Sequence, residues 1–327
     1  MSQWTQKARR LAAVLTVITL AYPLGVRAQS AQAPVGNGFR ISPVRSEFIV
    51  AKGTSKTFTI TLENPAATPL KAHPVVNDFI PSADESGEPR LILDSDTVLP
   101  RNDFKRLVSP LEDIIIPGNQ RKDIPITISV PSYADAGGYY GAVRFIPVIP
   151  TEQGRNVALT ASIGSIVLIQ VPGEIRQQLD LVQLSAAQNG TGRGFIIGGN
   201  VGVLTRLKNS GNIHVKPFGK VQIKNAFGKV IYEYEFNNTD PRANVLPDSI
   251  RKFVDELPNK HWLGRYSINM NLTYTDGGGE IISAKSTFWY FPVAVFYGCL
   301  VLLLILVVFV NYLIYKYRRH RKTHHKR

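Results

Sequence analysis

At 327 residues and 44% hydrophobic side chains, the chain has room for two ordinary cores plus short appendages. Its formal charge of +14 would point to nucleic acid only if it were spread over one folded face. Lys7, Arg9, Arg10 and Arg27 at one end and Lys316, Arg318, Arg319, Arg321, Lys322, Lys326 and Arg327 at the other have no acid among them; subtracting these eleven from +14 leaves +3 for everything between, and a nucleic-acid partner is excluded.

The first element is a leader. The charged start "KARR", the apolar stretch "LAAVLTVITLAYPLGV" and the small residues Val26 and Ala28 have the layout of a secretory signal peptide over residues 1–28, with the mature chain beginning near Gln29.

From Phe39 the pattern is short strands. "TFTITLEN" alternates Phe58, Ile60 and Leu62 with Thr57, Thr59 and Thr61, the two-residue period of a half-buried strand, and Asn64-Pro65 stops it. "LKAHPVVNDF" follows, and then Pro81 to Pro110 turns acidic and irregular, a long loop or an excursion over the sheet. "LEDIIIPGNQRKDIPITISV" holds two more strands around a Pro117-Gly118 turn, and Pro125 argues for a strand at an edge or one that starts after a break. In "GGYYGAVRFIPV", Val143 and Phe145 look like core, which turns Tyr140 and Arg144 outward. These two are the candidate contact residues, since a ring can stack on a sugar while a guanidinium pairs with a carboxylate. "VALTASIGSIVLIQVPG" closes a first unit over residues 39–173.

The second unit, 174–290, contains "NSGNIHVKPFGKVQIKNAFGKV", where Val221 and Ile223 face one way and Lys220, Gln222 and Lys224 the other. His214 has no partner cluster near it in sequence and reads as a surface or edge histidine. In "VLPDSIRKFVDEL", the spacing of Ile250, Phe253, Val254 and Leu257 predicts a helical turn. A hairpin with its turn at Asp276-Gly277 then leads toward "VAVFYGCLVLLLILVVFVNYLIY", residues 293–315, apolar and long enough for a transmembrane helix. Trp289 and Tyr290 before it, and Tyr312, Tyr315 and Tyr317 at its end, suit the two interfaces. The basic tail, 316–327, places that end in the cytoplasm and suits anionic lipid heads, so the expected location is a cell membrane crossed once with residues 29–290 outside. The sole cysteine, Cys299, falls in the span; an exported part without disulfides favours a bacterial envelope.

The expected fold class is therefore all-β: two immunoglobulin-like β-sandwich domains in series, followed by one transmembrane α-helix. Catalysis has little to work with. His73, His214 and His261 are the exported histidines, no "HExxH" occurs, "DSD" at Asp94 to Asp96 lacks the rest of a calcium loop, and "NGTGRG" precedes a strand instead of a helix. No enzyme, cofactor or metal is expected.

The stretches "FRISPV", "KGTSKTFTITLENP", "IIIPGNQRKDIPITISVP" and "GGYYGAVRFIP" fall in the order seen in the WxL-interacting proteins of Gram-positive bacteria, and residues 39–173 resemble the peptidoglycan-binding domain of that family. The second unit departs from the family and is similar to a broader class of bacterial immunoglobulin-like repeats. The resemblance implies a non-catalytic surface protein that binds cell-wall peptidoglycan or a partner surface protein, and it carries over no binding residue. The alternative is a membrane-anchored chaperone or assembly factor lending a strand edge to exported surface polymers or pili. A wall hydrolase is a third reading, set back by the residue census.

Overall fold

The computed structural model describes residues 38–94, 102–148, 162–258, 263–275 and 280–324, with side chains through residue 315. The signal peptide, the Asp276-Gly277 turn, His261 and the side chains of the basic tail lie outside the described residues.

The chain is mostly β, and its buried side chains fall into two clusters, one drawn from Phe39 to Val171 and the other from Leu179 to Tyr290. In the first half, β1 (Arg40–Ser42), β3 (Ser55–Asn64) and β7 (Gln120–Ser129) form an antiparallel sheet in the order β1-β3-β7. The threonine and isoleucine alternation decides how it faces. Ile60, Leu62, Ile126 and Ile128 are buried, while Thr57 meets Thr127 at 2.9 Å and Thr61 donates to Asp123 at 2.7 Å on the wet side. As Pro125 suggests, β7 is an edge strand; its missing N–H costs no ladder bond there.

The opposing sheet runs β2 (Arg45–Ile49), β9 (Ile163–Val171), β8 (Gly137–Val148), β4 (Leu70–Pro81) and β5 (Pro89–Leu91), with β6 (Ile114–Ile116) against the start of β4. β2 is parallel to β9. The irregular stretch after Pro81 is an excursion that returns as a single 3-10 turn, Lys105–Leu107, and drops Phe104 and Leu107 into the core. Asp78 caps that turn, accepting from the N–H groups of Phe104 at 2.6 Å and Lys105 at 3.2 Å. Burial, with Asp103 beside it, pushes the Asp78 carboxyl up to about 6.

The second half pairs two further sheets. β10 (Leu179–Gln188), β11 (Thr191–Gly192), β13 (Gly202–Asn209) and β16 (Ser249–Glu256) make one; β12 (Phe195–Ile197), β14 (Phe218–Asn225), β15 (Val230–Phe236), β17 (Gly264–Thr273) and β18 (Ile282–Phe291) make the other, in the order β12-β18-β17-β14-β15. Val221 and Ile223 face the core as their alternation requires. Residues 249–256 are a strand, not the helical turn that their apolar spacing predicts: eight consecutive pairs with β13 outweigh a weak local preference. After β18 only Pro292 intervenes before α1 (Val293–His324), whose first 23 residues are long and apolar enough to cross a membrane.

The two halves repeat one local device. Asn64 at the end of β3 and Asn209 at the end of β13 are both fully buried, and each amide bonds back across its own turn. Asn64 donates to the carbonyls of Thr68 and Ile116, and Asn209 to those of Ile213 and Val245, so each side chain stands in for a missing ladder partner.

Gly141 on β8 faces the core directly under Phe104, and a Cβ there would come 1.8 Å from the Phe104 ring. Gly141→Val should therefore lower stability by about 1–3 kcal/mol through overpacking. Read by urea unfolding, the loss should be less than additive with that of Phe104→Ala, because the smaller residue opens the space the valine needs.

Candidate functional site at the junction of the two halves

The connection between the halves, residues 172–178, is zipped onto the turn that follows β13. Asn212 does most of this: its backbone N–H donates to the Arg176 carbonyl at 2.9 Å, its Oδ1 accepts from the Arg176 N–H at 2.8 Å, and its amide donates to the Glu174 carbonyl at 2.8 Å. Its own carbonyl accepts from the Gly138 N–H at 2.9 Å, tying the same turn to β8. A linker held at so many points cannot act as a free hinge.

Next to this turn lies a charged network. His214 is buried, and its Nε2 stands 2.6 Å from Glu47 on β2, 167 residues away in sequence. The Tyr140 hydroxyl accepts the His214 backbone N–H at 2.8 Å and lies 3.2 Å from Nδ1. With Nε2–H donated to Glu47 and the Tyr140 O–H donated to Nδ1, every polar atom of the imidazole is satisfied. Lys216 reaches the other Glu47 oxygen at 2.8 Å, and Arg45 joins Glu47 to Asn244. The hydrogen bond from His214, supported by Lys216, holds the Glu47 carboxyl down at about 2 against the opposing effect of burial. Burial pushes the Tyr140 hydroxyl well above its ordinary value.

A second clasp comes from the β4–β5 hairpin. Glu85 receives the Arg206 guanidinium through two contacts, one of 2.6 Å from Nε, and its carbonyl accepts the Lys252 N–H on the outer side of β16 at 2.7 Å. Glu85 has a positive φ of 62°, which turns its backbone toward that strand.

Beside the zipped turn opens a cleft of about 1180 Å³, with Ile80, Tyr140, Arg176, Asn212, Pro247 and Asp248 among its walls. Its surface mixes apolar side chains with backbone and polar groups, which suits an extended peptide better than a compact apolar ligand.

Of the two candidate contact residues, only Tyr140 lines the cleft, where its hydroxyl is committed to His214. Arg144, two strides further along β8, donates to Asn77 at 2.8 Å and to Ser162 at 3.2 Å. His214 is an interior residue and not the surface histidine its sequence neighbours suggest, because Glu47 and Tyr140 supply its partners from the other half. Glu47, Glu85, Arg206 and Asn212 carry no local signal; each matters through a contact with chain at least 36 residues away.

No family model matches the chain, and no curated protein matches it. Solved structures similar to it include the class 5 fimbriae chaperone CfaA (14% identity, 77% of this chain and 99% of that one, TM-score 0.38). Others are the Pseudomonas aeruginosa CupB2 chaperone (13%, 76% and 100%, TM-score 0.35) and the Salmonella enterica SafA pilin in complex with the SafB chaperone (15%, 78% and 96%, TM-score 0.34). At such identities and TM-scores the likeness assigns no role. The resemblance to WxL-interacting proteins is overturned: the structural neighbours are fimbrial chaperones, and no family match supports peptidoglycan binding or a Gram-positive source. The quoted stretches are strand-and-turn phrases; in "GGYYGAVRFIP", Gly141 makes room for Phe104 in the core.

Two substitutions test the network. Tyr140→Phe leaves the buried His214 N–H without its acceptor and should cost about 1–3 kcal/mol in urea unfolding. Glu47 is an acid whose folded value of about 2 lies below its ordinary 4.5, so its contribution is full above pH 4.5 and is lost as pH falls through about 2. The stability difference between the wild type and Glu47→Gln should therefore shrink across that window and stay constant above it.

Proposed function

We propose that this chain is a membrane-anchored, non-catalytic assembly factor that holds an exported protein subunit in the cleft between two immunoglobulin-like domains, residues 39–173 and 174–290. Residues 293–315 cross the cell membrane, the tail is cytoplasmic, and the partner is a surface protein of the pilus or polymer type. The observation that carries this reading is the cleft itself, whose walls at Tyr140, Glu174, Arg176 and Asn212 are tied across the junction by hydrogen bonds. A peptide segment laid in it meets preordered walls, so little ordering of the receptor is charged against binding.

A photo-crosslinking residue at Arg176, on the cleft wall, should capture one exported protein during its assembly in living cells. The same residue at Phe227, 95% exposed on the β14–β15 turn, should not. Equal capture at both positions, or none at Arg176, sinks the proposal. Capture at Arg176 that persists on the mature surface would favour a permanent receptor for a surface protein over a factor that releases its subunit.

A further inference from the structure

The outer face of the β12-β18-β17 sheet changes character along its length. Where it lies far from α1, the outward residues of β18 are Ser283, Lys285 and Thr287, opposite Asn271, Asn269 and Ser267 on β17. In its last turn before Pro292 the same face becomes Trp289 and Phe291, flanked on β12 by Phe195 and Ile197. Phe195 is 48%, Trp289 46% and Ile197 37% exposed, although these are the large apolar side chains of the strand ends. The rings form one surface: Trp289 stacks on Phe291 with centroids 6.1 Å apart, and Phe195 lies 5.3 Å from Phe291. Arg265, opposite Trp289, and Arg193, just before β12, are exposed beside them. Tyr290, also expected at an interface, is turned into the core instead and donates to the Gly199 carbonyl at 3.1 Å.

This patch is continuous with α1. Val293 sits over Gly198, the residue after β12, so closely that a Cβ on Gly198 would come 2.2 Å from it, and the Gly198 N–H donates to the Phe291 carbonyl at 2.9 Å. We infer that Phe195, Ile197, Trp289 and Phe291 form a collar seated in the headgroup layer of the bilayer that α1 crosses, fixing the orientation of the second half on the membrane. The inference rests on the reading of α1 as a membrane span. An indole with one wet edge, set among apolar side chains and bordered by arginines, suits the boundary between headgroups and acyl chains, while the neighbouring Ser, Lys, Thr and Asn face requires water. Phe195 is the informative member. It lies 98 residues before Val293 in sequence, so it reaches the bilayer only if the folded sheet is seated there.

The test uses the full chain in phosphatidylcholine and phosphatidylglycerol vesicles and one environment-sensitive fluorophore (NBD) at three positions. These are the native Cys299 in α1, Phe195→Cys and Lys285→Cys, the last two in a Cys299→Ser background. Brominated phosphatidylcholine should quench the label at Cys299 and at Phe195, with a blue-shifted Phe195 emission, and leave the label at Lys285 open to aqueous dithionite. A quenched Cys299 label with a Phe195 label as accessible to dithionite as that at Lys285 overturns the collar and leaves the span intact. A blue-shifted Phe195 label that brominated lipid does not quench assigns the patch to a protein or a second copy and also overturns it. An unquenched Cys299 label overturns the span, and the collar with it.

Discussion

A histidine taken out of water needs a partner for each ring nitrogen, and His214, buried in one half, finds one in the partly exposed carboxylate of Glu47 on the other. Arg45 is the partner Glu47 has in its own half, while both ring nitrogens of His214 are met from across the junction. His214 sits on an irregular segment whose only bridge is Val215 with Val245, so nothing in its own sheet pair fixes the ring. Tyr140, Lys216 and Arg45 complete the set, and with the bonds of Asn212 to residues 174–176 they tie the two halves together at several points.

Much of the architecture was legible in the residue pattern. Alternation placed Ile60, Leu62, Val221 and Ile223 correctly because a sheet with one wet face has no other way to arrange them. Pro125 marked an edge because it lacks a donor. The run from Val293 declared itself by length and apolarity alone. In each case the deciding physics is local, set within a few residues of the side chain concerned.

The junction was illegible for the opposite reason. His214 looks like a solvated residue in "GNIHVKP" because its partners lie 74 and 167 positions away, and a pairing of that range leaves no mark in a single sequence. Residues 249–256 misled differently: apolar groups at helical spacing are real, but the free β13 edge offered eight paired positions, and tertiary pairing overruled the local period. Tyr140 reads from the strand alternation as an outward ring, yet its hydroxyl accepts a backbone N–H from the other half. What it contributes to the cleft is position. The strand phrases behind the family resemblance failed as evidence for the same underlying reason, since they record how sheets pack and not what they bind.

One residue, Pro292, separates β18 from α1, and Gly198 is pressed against the first residue of the helix. A receptor on a long tether explores a hemisphere and meets its cargo at a low effective concentration; one with no tether explores almost nothing. On the proposed reading of this chain as an anchored assembly factor, reach is exchanged for bearing. The cleft would be presented at one height, to whatever emerges from the bilayer close by, and a pull on the cargo would arrive at α1 as torque instead of being absorbed by slack chain.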